Sequence, residues 1–355
     1  MRIALLCPLW ERVPPPAYGG IEAVVSLLAE GLVERGHRVT LYASGDSITA
    51  AELRSVHPRS LRTDAEVVNP HLLDWSNAFL CAREASRFDL IHNHAGELPM
   101  LLAEFVRTPM LTTSHGPKIA NGELIWETYA GHYNTISRAA KEGLPNRGYL
   151  GVVYNAVDVA SFPFSEGKDD YLLFLSRISP EKGTHHAIEL ARRLGRRLVI
   201  AGKVDRLDRE YFAAQVEPQI DGGLIQFFGE ADAQQKRELF VRARALLHPI
   251  TWPEPFGLVM AEAMACGTPV IALDRGSAPE VVAHGETGYV VRDVDEMAEA
   301  VLLLDRIDPR RCREHVAAHF DVPQMVDGYL TLYERILSGQ ATSDLDGLVG
   351  KGIVA

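Results

Sequence analysis

The chain has 355 residues, 47% of them hydrophobic and 23% charged, a normal globular composition with room for two domains. Its formal net charge is −11 and neither half is net basic, which argues against nucleic acid as a partner. Four scattered cysteines (Cys7, Cys81, Cys266 and Cys312) form no CxxC pair and read as reduced, buried thiols of a cytoplasmic protein, and no apolar run reaches the roughly 18 residues of a membrane span.

The chain opens on a near-continuous apolar run, Ile3 to Cys7, as expected of a buried parallel strand; it has no cleavage site and reads as a strand, not a signal peptide. A Pro-rich loop then reaches Gly19 and Gly20. Ile21, Val24, Val25, Leu28 and Leu32 mark a helix over 21–36. Residues 37–44 form the next strand, which completes one βαβ unit. Further strands are predicted at 89–94, 109–115, 132–137 and 151–157, giving a first domain over 1–158. Residues 159–170 are rich in Pro, Ser, Gly and Asp, show no apolar period, and read as a linker.

The rhythm then restarts. A strand is predicted at 171–177 and a helix at 180–195, with Ser179 as N-cap and Pro180 in its first position. Strands at 197–202, 224–229, 245–249, 268–273 and 288–291 complete a second domain over 171–321. A closing helix at 322–338 follows, its return to the first domain left open, and the tail 339–355 has too few anchors to hold still. The alternation predicts the α/β class: two doubly wound Rossmann-like domains facing a cleft, with ligands beyond the carboxyl ends of the strands.

The unusual loops fall at those strand ends. After the strand at 171–177, Arg177 and Lys182 flank a helix start, whose amides and partial positive charge favour an anion such as a diphosphate. Two solvated cations in a capped turn are the plain alternative. After the strand at 245–249, "ITWPEPFGLVMAEAMACG" sets Glu254 before a helix and Glu262 inside it, roughly 8 Å apart along the axis. The amides near Phe256, Gly257 and Leu258 point out of that helix start, and Gly257 lets a ligand approach its backbone. Carboxylates beside an anion site make sense as acceptors for neutral hydroxyls, which a nucleotide sugar carries on both sides of its diphosphate. An N-cap and a surface ion pair are the alternative. Gly276 and Ser277 precede another helix start. In the first domain Gly19 and Gly20 stand directly before a helix. His92, His94 and His115 end two strands, but no carboxylate or cysteine completes a metal-binding spacing, so no metal is expected and His115 is read as a partner for a sugar hydroxyl. His185 and His186 read as structural. No nucleophile elbow, P-loop or dinucleotide fingerprint is present.

Taken in order, Gly19-Gly20-x-Glu22, "YNAVD" at 154–158, "LSRISPEKG" at 175–183, the Glu254–Glu262 stretch and "GTPVIAL" at 267–273 resemble the retaining GT-B glycosyltransferases of family four, the group 1 glycosyl transferases. The resemblance spans roughly residues 2–337. It implies transfer of a hexose-type sugar from a nucleotide diphosphate sugar, UDP favoured over GDP, to a hydroxyl acceptor with the anomeric configuration retained. No cofactor or metal is implied, the nucleotide sugar being a substrate. Carried over by position, Arg177 and Lys182 hold the diphosphate, Glu254 the sugar hydroxyls and Glu262 the ribose. Amides around Phe256, Gly257 and Leu258 assist, Gly19 and Gly20 lie near the donor phosphates, and His115 lies near the sugar. Gly202 and Gly229, which end two strands, join the donor-binding set. Ser176, Ile178 and Ala156 depart from the family's commoner residues, and "DRGSAPE" lacks its usual Gly-Gly, which bears on donor identity. A nucleotide-sugar epimerase and a non-catalytic nucleotide-sugar binder are the rival readings. A peripheral contact with the inner membrane face, the acceptor and the oligomeric state stay open.

Overall fold

The computed structural model describes residues 1–116 and 122–340, so the expectation for the tail beyond Gln340 lies outside the described residues. The chain divides into two units: residues 1–15, 19–154 and 325 onward, and residues 16–18 and 155–324.

Among the described residues the sheet of the first unit has seven strands: β1 (Arg2–Leu6), β2 (Arg38–Tyr42), β3 (Glu52–Arg54), β4 (Leu90–Asn93), β5 (Met110–Ser114), β6 (His132–Thr135) and β7 (Tyr149–Val152). All pair in parallel, in the order β3-β2-β1-β4-β5-β6-β7. Helices α1 (Gly20–Glu34), α2 (Pro70–Arg83) and α3 (Glu123–Thr128) lie between them in sequence. Asn69 caps α2 by accepting from the Leu72 amide, with Pro70 at the first helical position.

The second unit repeats the plan with β8 (Tyr171–Leu175), β9 (Arg197–Ala201), β10 (Ile225–Gly229), β11 (Ala245–His248), β12 (Val270–Leu273) and β13 (Gly288–Val291). Its parallel order is β10-β9-β8-β11-β12-β13. Its helices are α4 (Thr184–Leu194), the single turn α5 (Arg209–Tyr211), α6 (Ala233–Arg242), α7 (Leu258–Ala265), α8 (Ala278–Val281), α9 (Val294–Leu302) and α10 (Pro309–His319), and α11 (Val322–Leu337) follows them in sequence. Strands β4, β11 and β12 are buried along their whole length, as parallel strands covered on both faces must be. All four cysteines are buried free thiols. No helix among the described residues is long and apolar enough to cross a membrane.

Two boundaries differ from the sequence reading, and the place of the closing helix is settled. The predicted strand at 151–157 is β7, ending at Val152; Gly151 sits at φ 126° and the register with β6 shifts there, so the ladder stops early. The second unit begins at Asn155, and the stretch read as a linker is packed into it. Phe162 is buried, and the Lys168 ammonium donates to the Val241 and Cys266 carbonyls and to Thr268 Oγ1 at 2.9–3.1 Å. The closing helix α11 counts with the first unit from Met325 on. It buries Met325, Val326, Tyr329, Leu332, Tyr333 and Ile336, a stripe at helical spacing.

Burial pushes Lys168 down to about 8. The unfolded chain keeps this proton up to about 10.4, so the ammonium opposes folding fully below pH 8 and progressively less above it. Chemical denaturation of the wild type and of Lys168→Met from pH 7 to 10 should therefore show the wild type gaining relative stability as pH rises; a constant difference would mean the ammonium is not desolvated.

Candidate functional site

In the second unit the strand order reverses between β8 and β11, which are neighbours although 69 residues separate the end of one from the start of the other. Loops leaving such a switch point diverge and leave room for a ligand beyond the carboxyl ends. The loop after β8 carries Arg177 and Lys182. The loop after β11 carries Trp252 and Glu254.

The two loops are tied together. Lys182 Nζ lies 2.5 Å from Glu254 Oε2, and both side chains are mostly buried. The Trp252 indole N–H donates to the same carboxylate oxygen at 2.9 Å, and its ring lies 4.8 Å below the Lys182 ammonium. The Thr251 amide donates to the Glu181 carbonyl at 3.0 Å. Arg177 pairs with Glu181 and, at 3.4 Å, with Asp208. Its side chain keeps 31% exposure, so these are partly solvated pairs.

The predicted helix over 180–195 is two pieces. Pro180–Lys182 form a 3-10 turn, Gly183 takes the left-handed conformation at φ 74°, and α4 starts at Thr184. Gly183, not Ser179, is the N-cap of α4. A Cβ on Gly183 would lie 2.1 Å from the Pro249 carbonyl oxygen, so only glycine lets the two loops pass this closely. The amides at this helix start are also less available than the sequence implied. The His185 amide donates to the Tyr211 hydroxyl, and the His186 amide to the Gly183 carbonyl.

The helix after Glu254 fits its expectation more closely. Gly257 caps α7 at φ 72°, and Leu258 is its first residue. Phe256 points into the core against Phe320, leaving only its backbone for a ligand. Glu262 is buried on α7 and meets Lys236 Nζ of α6 at 2.5 Å through Oε1. Gly276 and Ser277 hold Glu254 from behind: the Ser277 amide donates to the Glu254 carbonyl at 2.9 Å, and a Cβ on Gly276 would fall 2.3 Å from the Glu254 nitrogen and oxygen. Gly202 follows β9 and Gly229 ends the neighbouring β10, and the Gly202 amide donates to the Gly229 carbonyl. A Cβ on Gly202 would lie 1.7 Å from the Ser176 carbonyl oxygen, which is a packing reason for that glycine; around Gly229 the space is open.

Residues 160–317 match the family described as Glycosyl transferases group 1, and residues 18–161 match Glycosyltransferase Family 4. The chain belongs to the group 1 glycosyltransferases. It is 28% identical to a glycogen synthase of Mycobacterium tuberculosis over 90% of this chain and 91% of that one. The crystal structure of AviGT4, a glycosyltransferase of avilamycin A biosynthesis, superposes with a TM-score of 0.72 at 26% identity, covering 95% of this chain and 98% of that one. Anabaena HepE, solved with UDP and glucose, superposes with a TM-score of 0.72 at 19% identity over 94% and 99%. The fold of this glycosyltransferase is GT-B.

In the first unit of the glycosyltransferase the order reverses between β1 and β4. Gly19 is the N-cap of α1 and Gly20 its first residue. A Cβ on Gly19 would meet the Pro15 ring at 2.7 Å, so close packing of the Pro-rich loop already requires it. His115 follows β5 and is half-buried, and burial pushes it down to about 4. Its Nε2 lies 2.8 Å from His94 Nδ1, so the strand-end histidines bond to one another. Among the described residues no group of three or more His, Cys, Asp or Glu is arranged to hold a metal ion.

Several site residues carried no role in the sequence. Trp252 was visible only as a neighbour of Glu254, and its indole contact needs the loop's shape. Lys236, Glu181 and Asp208 are ordinary surface charges by pattern, distinguished only by their partners. His248 ends β11 fully buried and neutral, pushed down to about 4 by burial, with no partner for Nε2 among the described residues. Substituting Gly276 by Ala should displace the Glu254 backbone and cost on the order of 2 kcal/mol, since the clash is with main chain at a left-handed position. Thermal unfolding of Gly276→Ala checks this; an unchanged midpoint would mean the loop is not held from behind.

Proposed function

We propose that this group 1 enzyme is a retaining transferase that moves a hexose-type sugar from a nucleotide diphosphate sugar, UDP favoured over GDP, to a hydroxyl acceptor. The observation that carries the reading is the convergence of Lys182 and Glu254, 72 residues apart in sequence, at the switch point of the second sheet. A cation and a carboxylate held together there suit a ligand that carries an anion next to hydroxyl groups. The complex of HepE with UDP and glucose supports such a ligand by analogy of fold.

In this mechanism the bond between the anomeric carbon and the phosphate oxygen breaks, and its electron pair passes to the diphosphate. Arg177, Lys182 and the backbone amides at Gly257 and Leu258 stabilise that growing negative charge, so the side chains supply the positive charge without a bound metal. Glu254 accepts from sugar hydroxyls and Glu262 from the ribose, each through an acceptor-only carboxylate. The acceptor oxygen attacks the face the phosphate leaves, and its proton passes to a phosphate oxygen. No dedicated protein base is needed. His115, neutral because its pKa is depressed to about 4, cannot protonate the leaving group near neutral pH and is left the role of a hydrogen-bonding partner.

Glu254 must exchange partners in this scheme. Its pair with Lys182 holds both groups in place, and a donor phosphate draws the ammonium while sugar hydroxyls satisfy the carboxylate. Holding the cation in advance lowers the ordering cost on binding.

Two measurements test the proposal. A thermal-shift panel of UDP-, GDP- and ADP-sugars should pick out UDP-sugars; a ligand at 100 times its Kd adds about 2.7 kcal/mol. Lys182→Ala should lower kcat about 10²–10³-fold, the loss of one preorganised donor, while the fold survives by circular dichroism. No shift with any sugar nucleotide at millimolar concentration, or full activity in Lys182→Ala, would overturn the reading. A proton spectrum of the first-formed product reads the anomeric configuration directly.

A further inference from the structure

The first unit buries a chain of neutral polar groups that donor binding in the second unit does not use. It runs from Asn134 on β6 through Thr113 on β5 and His92 on β4 to His94 and His115. The distances are 2.8 Å from Thr113 Oγ1 to Asn134 Oδ1 and 2.7 Å from His92 Nε2 to Thr113 Oγ1. They continue at 3.3 Å from His94 Nε2 to His92 Nδ1 and 2.8 Å from His94 Nδ1 to His115 Nε2. From α11, the Tyr333 hydroxyl lies 2.6 Å from His92 Nδ1 and the Tyr329 hydroxyl 3.2 Å from Thr113 Oγ1. Asn134, Thr113, His92 and His94 are fully buried or nearly so.

The direction of every bond in this chain follows from its far end. Asn134 Nδ2 donates to the Thr135 carbonyl, which turns the amide oxygen toward Thr113. An amide oxygen only accepts, so the single hydroxyl hydrogen of Thr113 goes to Asn134. Thr113 Oγ1 can then only accept from His92, which puts the ring hydrogen of His92 on Nε2. Burial keeps all three imidazoles neutral, with one N–H each. His92 Nδ1 is therefore a lone pair, shared between the Tyr333 hydroxyl hydrogen at 2.6 Å and the longer contact with His94 Nε2 at 3.3 Å. A second lone pair at that contact would be repulsive, so His94 carries its hydrogen on Nε2. Its Nδ1 then accepts, and His115 must donate through Nε2–H.

We propose that Thr113 and Asn134 are positioning residues that hold His115 in the Nε2–H tautomer, so that its Nδ1 lone pair is what it offers to a hydroxyl of the donor sugar. The last clause rests on the reading of His115 under Proposed function; the tautomer itself does not. His92 and His94 carry the orientation without changing charge. The device fixes an acceptor rather than a donor at His115 Nδ1.

The test is the ring-nitrogen spectrum of protein labelled with nitrogen-15 histidine, read through two-bond proton correlations and with His115 assigned by its loss in His115→Gln. The wild type should show His115 protonated at Nε2. Thr113→Val keeps the side-chain shape but removes the acceptor of His92 Nε2–H. His92 should then carry its hydrogen on Nδ1, which reverses each later bond and moves the His115 hydrogen to Nδ1. Thr113→Ser restores the hydroxyl and should restore the wild-type pattern. A wild-type His115 protonated at Nδ1, or an unchanged pattern in Thr113→Val, overturns the relay; the wild-type spectrum decides the first point even if the Val variant does not fold. Thr113→Val should also lower kcat/KM for the nucleotide sugar on the order of tenfold, the worth of one lost hydrogen bond, with no further loss in a His115→Gln background. The tautomer reversal with kcat/KM unchanged would leave the relay standing and overturn the role given to His115 at the sugar.

Discussion

The pairing of β8 with β11 is the constraint on which the second unit's chemistry depends. Leu172 and Leu173 of one strand face Ala245 and Leu246 of the other, so the loops that leave their carboxyl ends start side by side. The two strands between them in sequence, β9 and β10, are laid to one flank. Two loops that begin as neighbours yet turn to opposite flanks must be braced, and the bracing is visible. Gly183 passes under the Pro249 carbonyl, Thr251 donates to Glu181, and Lys182 meets Glu254. A mostly buried ion pair contributes little net stability once desolvation is counted, and breaking it by removing one partner is costly. Its presence at the switch point is better understood as holding charge ready than as holding the fold together.

Charge is balanced locally throughout this region. Arg177 has Glu181 and Asp208, Lys182 has Glu254, and Lys236 has Glu262. For a protein with a formal net charge of −11, an anionic ligand gains nothing from the molecule as a whole. Attraction must come from a few cations at close range, strengthened by helix-start amides and by exclusion of water. That is a short-range design, and it selects by geometry more than by long-range steering.

Much of this was legible in the chain. Parallel strands announce themselves as apolar runs, and the helices between them by spacing, so the two doubly wound sheets could be read from periodicity. Arg177, Lys182, Glu254 and Glu262 could be singled out because they sit in loops that follow such strands. The misreadings have physical causes. The helix predicted at 180–195 runs through Gly183 because the glycine's left-handed turn answers to a Pro249 carbonyl from another loop, which no local pattern reveals. Residues 159–170 read as a linker because their anchor is one lysine, Lys168, and one buried ring, Phe162, rather than an apolar period. Strand β3 and helix α2 went unmarked, the first for its brevity and the second because α2 is too polar for a clear stripe. Ion-pair partners such as Lys236 lie far away in sequence, and pattern alone cannot match them.

The two units use opposite solutions to burying polar groups. The second keeps ionised groups in pairs, each charge answered by its opposite. The first keeps its groups neutral: His92, His94 and His115 are all depressed by burial, and Tyr329 and Tyr333 are pushed up by it. A neutral network cannot attract an anion, but it can fix which atoms donate and which accept, because each hydrogen is committed by the one before it. The same low dielectric that would make an unpaired charge prohibitive makes a wrongly placed hydrogen expensive too. Direction is therefore conserved along the chain, from an amide oxygen on β6 to an imidazole after β5. Charge pairs suit the diphosphate end of a nucleotide sugar and directed neutral bonds suit its hydroxyls. Each sheet can hold its own kind of polar group because its central strands are covered on both faces, away from bulk water.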